Sequence, residues 1–279
     1  MHHPIIDAHQ HFWKYNPGRD IWITEEMQIL RRDYLPPEIE TSYRQNHITG
    51  SVVVQADPSE NENQFLLDLA DKYSFILGVV GWVDLLSREL EERLNYYKLF
   101  PKMKGFRYLL QGVKQRDMML NPEFQKAIGL LNSYGFSFDL LVLADQLGFT
   151  EKLVAAFPEQ RFVIDHLAKP QIKSGFISEW KIALKKFATF PNVYCKISGM
   201  VTEADLEFWE KEDFLPYMDA VLEVFGTKRI MFGSDWPVCL RAGTLDEVKS
   251  ITDDYFSSFS VNERSDFFGY NAMDFYKLN

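Results

Sequence analysis

Residues 5–13, Ile5-Ile6-Asp7-Ala8-His9-Gln10-His11-Phe12-Trp13, read as a β-strand, in which successive side chains point to opposite faces. His9 and His11, with Asp7 behind them, are expected on one face, and Ile6, Ala8 and Phe12 on the other. A strand with titratable groups on one side and apolar groups on the other fits a barrel wall whose interior end does chemistry. A short His-x-His is also compatible with two solvated imidazoles on a surface strand, and taken alone the two readings weigh equally.

Outward from this strand, a short run of β-branched and aromatic residues followed by an amphipathic helical stretch recurs. The runs cover 50–55, 76–83, 103–109, 137–142, 161–166, 192–198 and 229–235. The helical stretches cover 34–45, 61–72, 87–97, 122–134, 143–157, 178–190, 215–225 and 244–256. Asn121-Pro122-Glu123 and Ser178-x-x-Lys181 look like helix starts, Pro36-Pro37 suits a first turn, and Gly135 and Gly226 look like stops. Eight strands alternating with helices predict an α/β fold, a (β/α)8 TIM barrel, read economically as a single domain over 1–279. The 279 residues, 46% of them hydrophobic, are ample for such a core. Residues 14–32 form an unusually long connection with aromatics among charges, expected to be either a lid over the His9/His11 end or a loop whose aromatics pack down.

A formal net charge of -10 disfavours nucleic acid and anionic membrane as partners, since either needs a basic patch. No apolar run approaches the ~20 residues that span a bilayer, and the start lacks a secretory pattern. Cys195 and Cys239 cannot build a disulfide framework or a Cys-x-x-Cys site, which points to the cytoplasm. Small-molecule chemistry is the remaining class.

In a barrel of this kind the site lies at the C-terminal strand ends. The sixth strand passes from Phe162-Val163-Ile164 into Asp165-His166, and the eighth from Met231-Phe232 into Gly233-Ser234-Asp235-Trp236-Pro237. Arg107 and Lys196 sit inside otherwise apolar strands. An unpaired charge there would cost several kcal/mol, so each needs a partner, a ligand or a metal. Asp165 reads best as a helix-start or loop contact. Arg107 reads equally as a cross-barrel ion pair or a substrate contact, and Lys196 as a partner of Asp165 or Asp139 or as part of the site. Gly105, Gly199 and Gly233 read as turn and packing residues. His166 and Asp235 would meet His9 and His11 in a closed barrel.

Six stretches together resemble the amidohydrolase superfamily. They are Ile6-Asp7-Ala8-His9-Gln10-His11-Phe12-Trp13, Gly105-Phe106-Arg107, Asp165-His166-Leu167-Ala168-Lys169-Pro170, Lys196-Ile197-Ser198-Gly199-Met200, Gly233-Ser234-Asp235-Trp236-Pro237 and Asn271-Ala272-x-x-Phe275-Tyr276. Within the amidohydrolase-related family 2 they are most similar to the sugar-lactone hydrolases, such as L-fuconolactonases and L-rhamnono-lactonases. The resemblance implies a metal-dependent-hydrolase type of TIM barrel that opens an aldonolactone in carbohydrate metabolism. It implies at most one divalent ion, zinc or manganese, held by His9, His11 and Asp235 with His166 as a further ligand, or none. The chain departs from dinuclear relatives: 136–143 has no histidine, only Asp139 and Asp145 nearby, and the fourth strand offers Arg107, with Lys104 placed too early to bridge metals.

For lactone hydrolysis the expected catalytic residues are Asp235, which takes a proton from water and returns it to the leaving ring oxygen, and Arg107 and His166, which with any metal stabilise the oxyanion. Trp13, Trp22, Trp82, Trp236, Lys169 and Lys196 are expected substrate contacts, with core packing as the other use of the tryptophans. A metal-dependent decarboxylase or amide hydrolase stays open on the strength of Arg107, Lys169 and Lys196. So does a catalytically silent barrel that binds a sugar acid or a protein.

Overall fold

The computed structural model describes residues 3–278. Eight strands, β1 (Ile6–Gln10), β2 (Gly50–Val54), β3 (Ile76–Gly81), β4 (Met103–Tyr108), β5 (Ser137–Leu140), β6 (Phe162–Ile164), β7 (Val193–Ile197) and β8 (Ile230–Phe232), lie in one sheet in chain order, each parallel to the next. The His11 amide donates to the Trp236 carbonyl at 2.7 Å and the Asp235 amide to the His9 carbonyl at 2.8 Å. These bonds tie β1 to the chain leaving β8 and nearly close the barrel expected from the sequence.

Helices α1 (Pro36–Gln45), α2 (Glu60–Lys72), α3 (Leu90–Tyr97), α4 (Pro122–Tyr134), α5 (Leu147–Ala156), α6 (Ser178–Lys185), α7 (Leu215–Phe225) and α8 (Leu245–Tyr255) follow the strands in turn, with α9 (Val261–Ser265) and α10 (Asn271–Tyr276) at the end. Alternation along each strand builds two apolar layers. Outward residues such as Val53, Phe106, Phe138 and Phe162 pack with Leu66, Ile128 and Leu153 of the helices. Inward residues Ile6, Ala8, Val52, Val54, Val80, Val163 and Met231 form a separate core that Phe275, Tyr276 and Leu278 close from below. Full burial of one such large side chain contributes about 1.5–3 kcal/mol.

Local expectations hold in part. Asn121 caps α4 by accepting from the Glu123 amide at 2.8 Å, and Gly135 ends it at φ 79°. Ser178 makes no capping bond and is instead the first residue of α6. The stretch 143–157 divides into a 3-10 turn, Ala144–Gln146, and α5, while a 3-10 turn at Lys186–Thr189 finishes the stretch begun by α6.

The first strand is less regular than the alternation predicts. Its register against β2 slips between Asp7 and Gln10. Ile6 and Ala8 belong to the interior core, while the Asp7 carboxylate accepts from the Tyr43 hydroxyl of α1 at 3.0 Å. Asp7 therefore does not share a face with His9, because one slipped residue changes the phase of everything after it.

The excursion over 14–32 is clamped at its base by paired backbone bonds between Trp13 and Tyr34. It carries a 3-10 turn, Glu25–Leu30, that packs against the turn Val238–Arg241 after β8. Among the described residues no helix is long and apolar enough to cross a membrane.

Candidate active site

At the C-terminal strand ends, β1, β6 and β8 deliver three imidazoles and a carboxylate to one point. His9 Nε2 and His11 Nε2 are 3.2 Å apart. Asp235 Oδ1 lies 3.4 Å from His11 Nε2 and 3.9 Å from the Nε2 atoms of both His9 and His166. All four residues are buried.

The backbone is bent to bring them there. Asp235 has φ 56°, and the four residues from His166 to Lys169 all have φ between 49° and 59°. Left-handed backbone at non-glycine residues is uncommon, costs of order 1–3 kcal/mol each and gathers at functional sites. Two glycines make the room. A Cβ on Gly199, itself at φ 63°, would stand 2.6 Å from His166 Nδ1, and one on Gly233 would stand 2.7 Å from His9 Cβ.

A buried polar layer orients the imidazoles. His11 Nδ1 lies 2.7 Å from the Val54 carbonyl, so Nδ1 carries a proton, and Nε2 faces Asp235. His166 Nδ1 meets Ser198 Oγ at 2.9 Å, a hydroxyl that serves either tautomer. His9 Nδ1 lies 3.3 Å from Asp165 Oδ1 and 3.1 Å from Lys196 Nζ. Lys196 is fully buried between Asp139, at 2.6 Å, and Asp165, at 3.0 Å. Tyr276 donates to Asp139 at 2.7 Å, joining the C-terminal plug to the layer. Arg107 Nη1 lies 3.3 Å from both His9 Nε2 and Asp165 Oδ2, and Nη2 donates to the Gln55 carbonyl.

Burial pushes His9 well below the ordinary histidine range and His166 down to about 4, which leaves both neutral near pH 7. Burial opposes charge on Asp235, yet the neighbouring His166 and the hydrogen bond from His11 outweigh it and hold the carboxyl below the usual carboxylate range. Asp165 is likewise held low against its burial, by Lys196, His9 and Arg107.

Neutral imidazoles and an ionised carboxylate are the donor set of a divalent metal site. His9, His11 and Asp235 form one cluster able to hold an ion, and His9, Asp165 and His166 a second. The 3.2–3.9 Å spacing of His9 Nε2, His11 Nε2 and Asp235 Oδ1 suits three ligands about 2 Å from a common centre. The outer contacts of the rings are those that orient metal-binding histidines.

A cavity of about 300 Å³ opens onto this point. His11, Arg107, His166 and Asp235 line it, joined by Trp22, Lys169 and Arg241. Four residues expected at the substrate are not in its lining. Trp13 packs on Trp22 and Tyr34 with its Nε1 donating to Arg32, and Trp236 packs on Phe12 and Tyr34. The Trp82 backbone is tied to the Asn63 side chain, its carbonyl accepting from Nδ2 and its amide donating to Oδ1. Lys196 is enclosed by its two aspartates. Asp165 departs from its expected capping role, since it holds Lys196, His9 and Arg107 together. Gln55 and Ser198 are further members that alternation could have placed inward but that carry no charge to draw notice.

Residues 6–278 match the family described as Amidohydrolase. The chain is 36% identical to an L-fucono-1,5-lactonase of Burkholderia multivorans and 34% identical to one of Burkholderia ambifaria, in each case over 98% of this chain and 96% of the relative. Two crystal structures of an amidohydrolase from Burkholderia multivorans, one with bound HEPES and one with bound zinc, superimpose with TM-scores of 0.96 and 0.95 at 36% identity, covering 99% of this chain and all of theirs. With eight parallel strands and the buried His9, His11, His166 and Asp235 at their ends, the chain belongs to the amidohydrolase family.

Proposed function

We propose that this chain is a hydrolase that opens an aldonolactone, with L-fucono-1,5-lactone as the first substrate to test, and that Asp235, His166 and Arg107 carry the reaction. The observation that supports it most is the meeting of His9, His11 and Asp235 at a point onto which a cavity lined by His11, Asp235, His166 and Arg107 opens. The likeness to L-fucono-1,5-lactonases over almost the whole chain points the same way.

Opening a lactone needs an activated water, stabilisation of the tetrahedral oxyanion and a proton for the ring oxygen. Asp235, ionised and aimed into the cavity, accepts the proton of the attacking water and returns it to the departing alkoxide. So acidic a carboxylate is a weak base, and a divalent ion held by His9, His11 and Asp235, with His166 beside them, would supply the missing drive by acidifying water and polarising the carbonyl. Arg107, whose guanidinium is fixed by Asp165 and Gln55, offers N–H groups to the oxyanion. His166 donates from Nε2 when Ser198 donates to its Nδ1. Trp22 and Lys169 contact the sugar, and the cytoplasm is the proposed compartment.

A pH-indicator assay on a panel of aldonolactones, with protein stripped by a chelator and then reloaded with zinc or manganese, tests this. Fast opening of at least one lactone is expected, falling on stripping and returning with metal. No opening under any condition would overturn the lactonase reading and turn attention to acids and amides.

A further inference from the structure

A second cavity, of about 540 Å³, lies at the opposite end of the barrel, where the residues preceding β1 and β2 meet the last turn of α1 and helix α9. Among the described residues its basic side chains are His3, Arg44, His47 and Arg264, and its lining contains no carboxylate. In a chain with 40 acidic residues and a net charge of -10, this is a local reversal of sign. Among the described residues the one ion pair made by these four joins Arg44 to Glu40 of the same helix, at 3.6 Å. Arg264, which is exposed, makes no ion pair among the described residues.

Beneath the cations the floor is apolar, made by Ile5, Ile48 and Phe268. Phe268 comes from a π-helical turn, Asp266–Tyr270, a rare geometry that recurs at functional sites. The turn sits so close to the N-terminal chain that a Cβ on Gly269 would stand 2.1 Å from the Pro4 carbonyl oxygen. His47 at the rim has φ 55°, the left-handed backbone that non-glycine residues seldom adopt. Cations above an apolar floor favour one ligand class. An inorganic anion would leave the floor unused, and a neutral apolar molecule would leave the arginines unused.

Tyr43 forms part of the cavity wall. Its hydroxyl donates to Asp7, whose carboxylate accepts from the Ser234 amide at 2.8 Å and the His9 amide at 3.2 Å. The wall is thus two hydrogen bonds from the backbone of His9 and of the residue before Asp235. We propose that this cavity binds a small carboxylate with an aromatic or branched aliphatic body, and that its occupancy is felt at the catalytic end through Tyr43 and Asp7. The kinetic half rests on the lactone-opening reading, while the binding half does not.

Calorimetric titration with benzoate, with benzyl alcohol as its neutral counterpart, decides the binding half on both chelator-treated and zinc-loaded protein. One equivalent of benzoate is expected in both forms, with no measurable binding of benzyl alcohol. The double variant Arg44→Gln, Arg264→Gln alters two exposed side chains, so it is expected to fold, keep its basal turnover and lose about ten-fold in benzoate affinity. Absence of saturable binding, equal binding of benzyl alcohol, or binding unaffected by the double variant would overturn the site.

For the kinetic half, benzoate is expected to change lactone turnover by about five-fold in the wild type, and in the double variant only at about ten-fold higher concentration. In Tyr43→Phe, which keeps the ring and removes the bond to Asp7, binding is expected to persist and the kinetic effect to vanish. Binding with unchanged turnover in the wild type would overturn the transmission. If no lactone is opened at all, the calorimetry still decides whether the cavity takes an anion.

Discussion

Asp235 and His166 were legible because each ends an apolar run, where an ionisable group is costly without a role. Asp165 was not, since an acid just before a histidine at a strand end is equally a cap, and only the folded barrel brings Lys196 and Arg107 to it. The neutrality of His166 has a consequence for stability. Its value falls to about 4 in the fold, through burial, from the ordinary 6.5. Between these values the unfolded chain binds more protons than the folded one, so the stability this residue contributes is complete above about pH 6.5 and is lost as the pH drops toward about 4. Melting curves of metal-free protein should show a smaller loss between neutral and acidic pH in His166→Gln than in the wild type, and an equal loss would contradict the assignment. Gly199→Ala adds a methyl 2.6 Å from His166 Nδ1 at a left-handed backbone position. It should lower the melting temperature and cut lactone turnover by about ten-fold or more, whereas unchanged values for both would show that the contact does not fix the imidazole.

At the scale of elements, every strand was readable as a short β-branched or aromatic run, and α1 to α8 to within a few residues at most of their ends, while α9 and α10 were not foreseen. What periodicity missed was phase. The slip in β1 separates Asp7 from His9, and nothing in Ile6-Asp7-Ala8-His9 marks it, because it follows from Asp7 bonding to Tyr43 and Ser234. The left-handed run from His166 to Lys169 was equally hidden, since none of its residues is glycine. The excursion over 14–32 was recognised by its length, and the barrel shows it bringing Trp22 and Met27 into the cavity lining. Trp22→Ala should therefore raise KM for the lactone several-fold with kcat little changed, the pattern of lost uniform binding. An unchanged KM in steady-state kinetics would show that the ring covers the mouth without touching substrate.

The whole molecule reconciles an acidic chain with a site rich in cations. The net charge of -10 is a sum over the whole chain, while Arg107, Lys169 and Arg241 face the cavity beside Asp235 and Glu203, so local charge rather than the total governs what enters. The barrel itself was legible from eight repeats of strand and helix. Its closure from below was not: Phe275 and Tyr276 appear in the sequence only as part of a family-like ending, yet Phe275 fills the interior core and Tyr276 reaches Asp139 beneath Lys196. The central claim, that one carboxylate at the mouth of this barrel drives the opening of a lactone, is tested most directly by turnover of L-fucono-1,5-lactone by Asp235→Asn, with its fold checked by circular dichroism and melting. The account predicts a folded protein whose kcat falls by about 10²–10⁴-fold. A folded variant with near-normal turnover would contradict it.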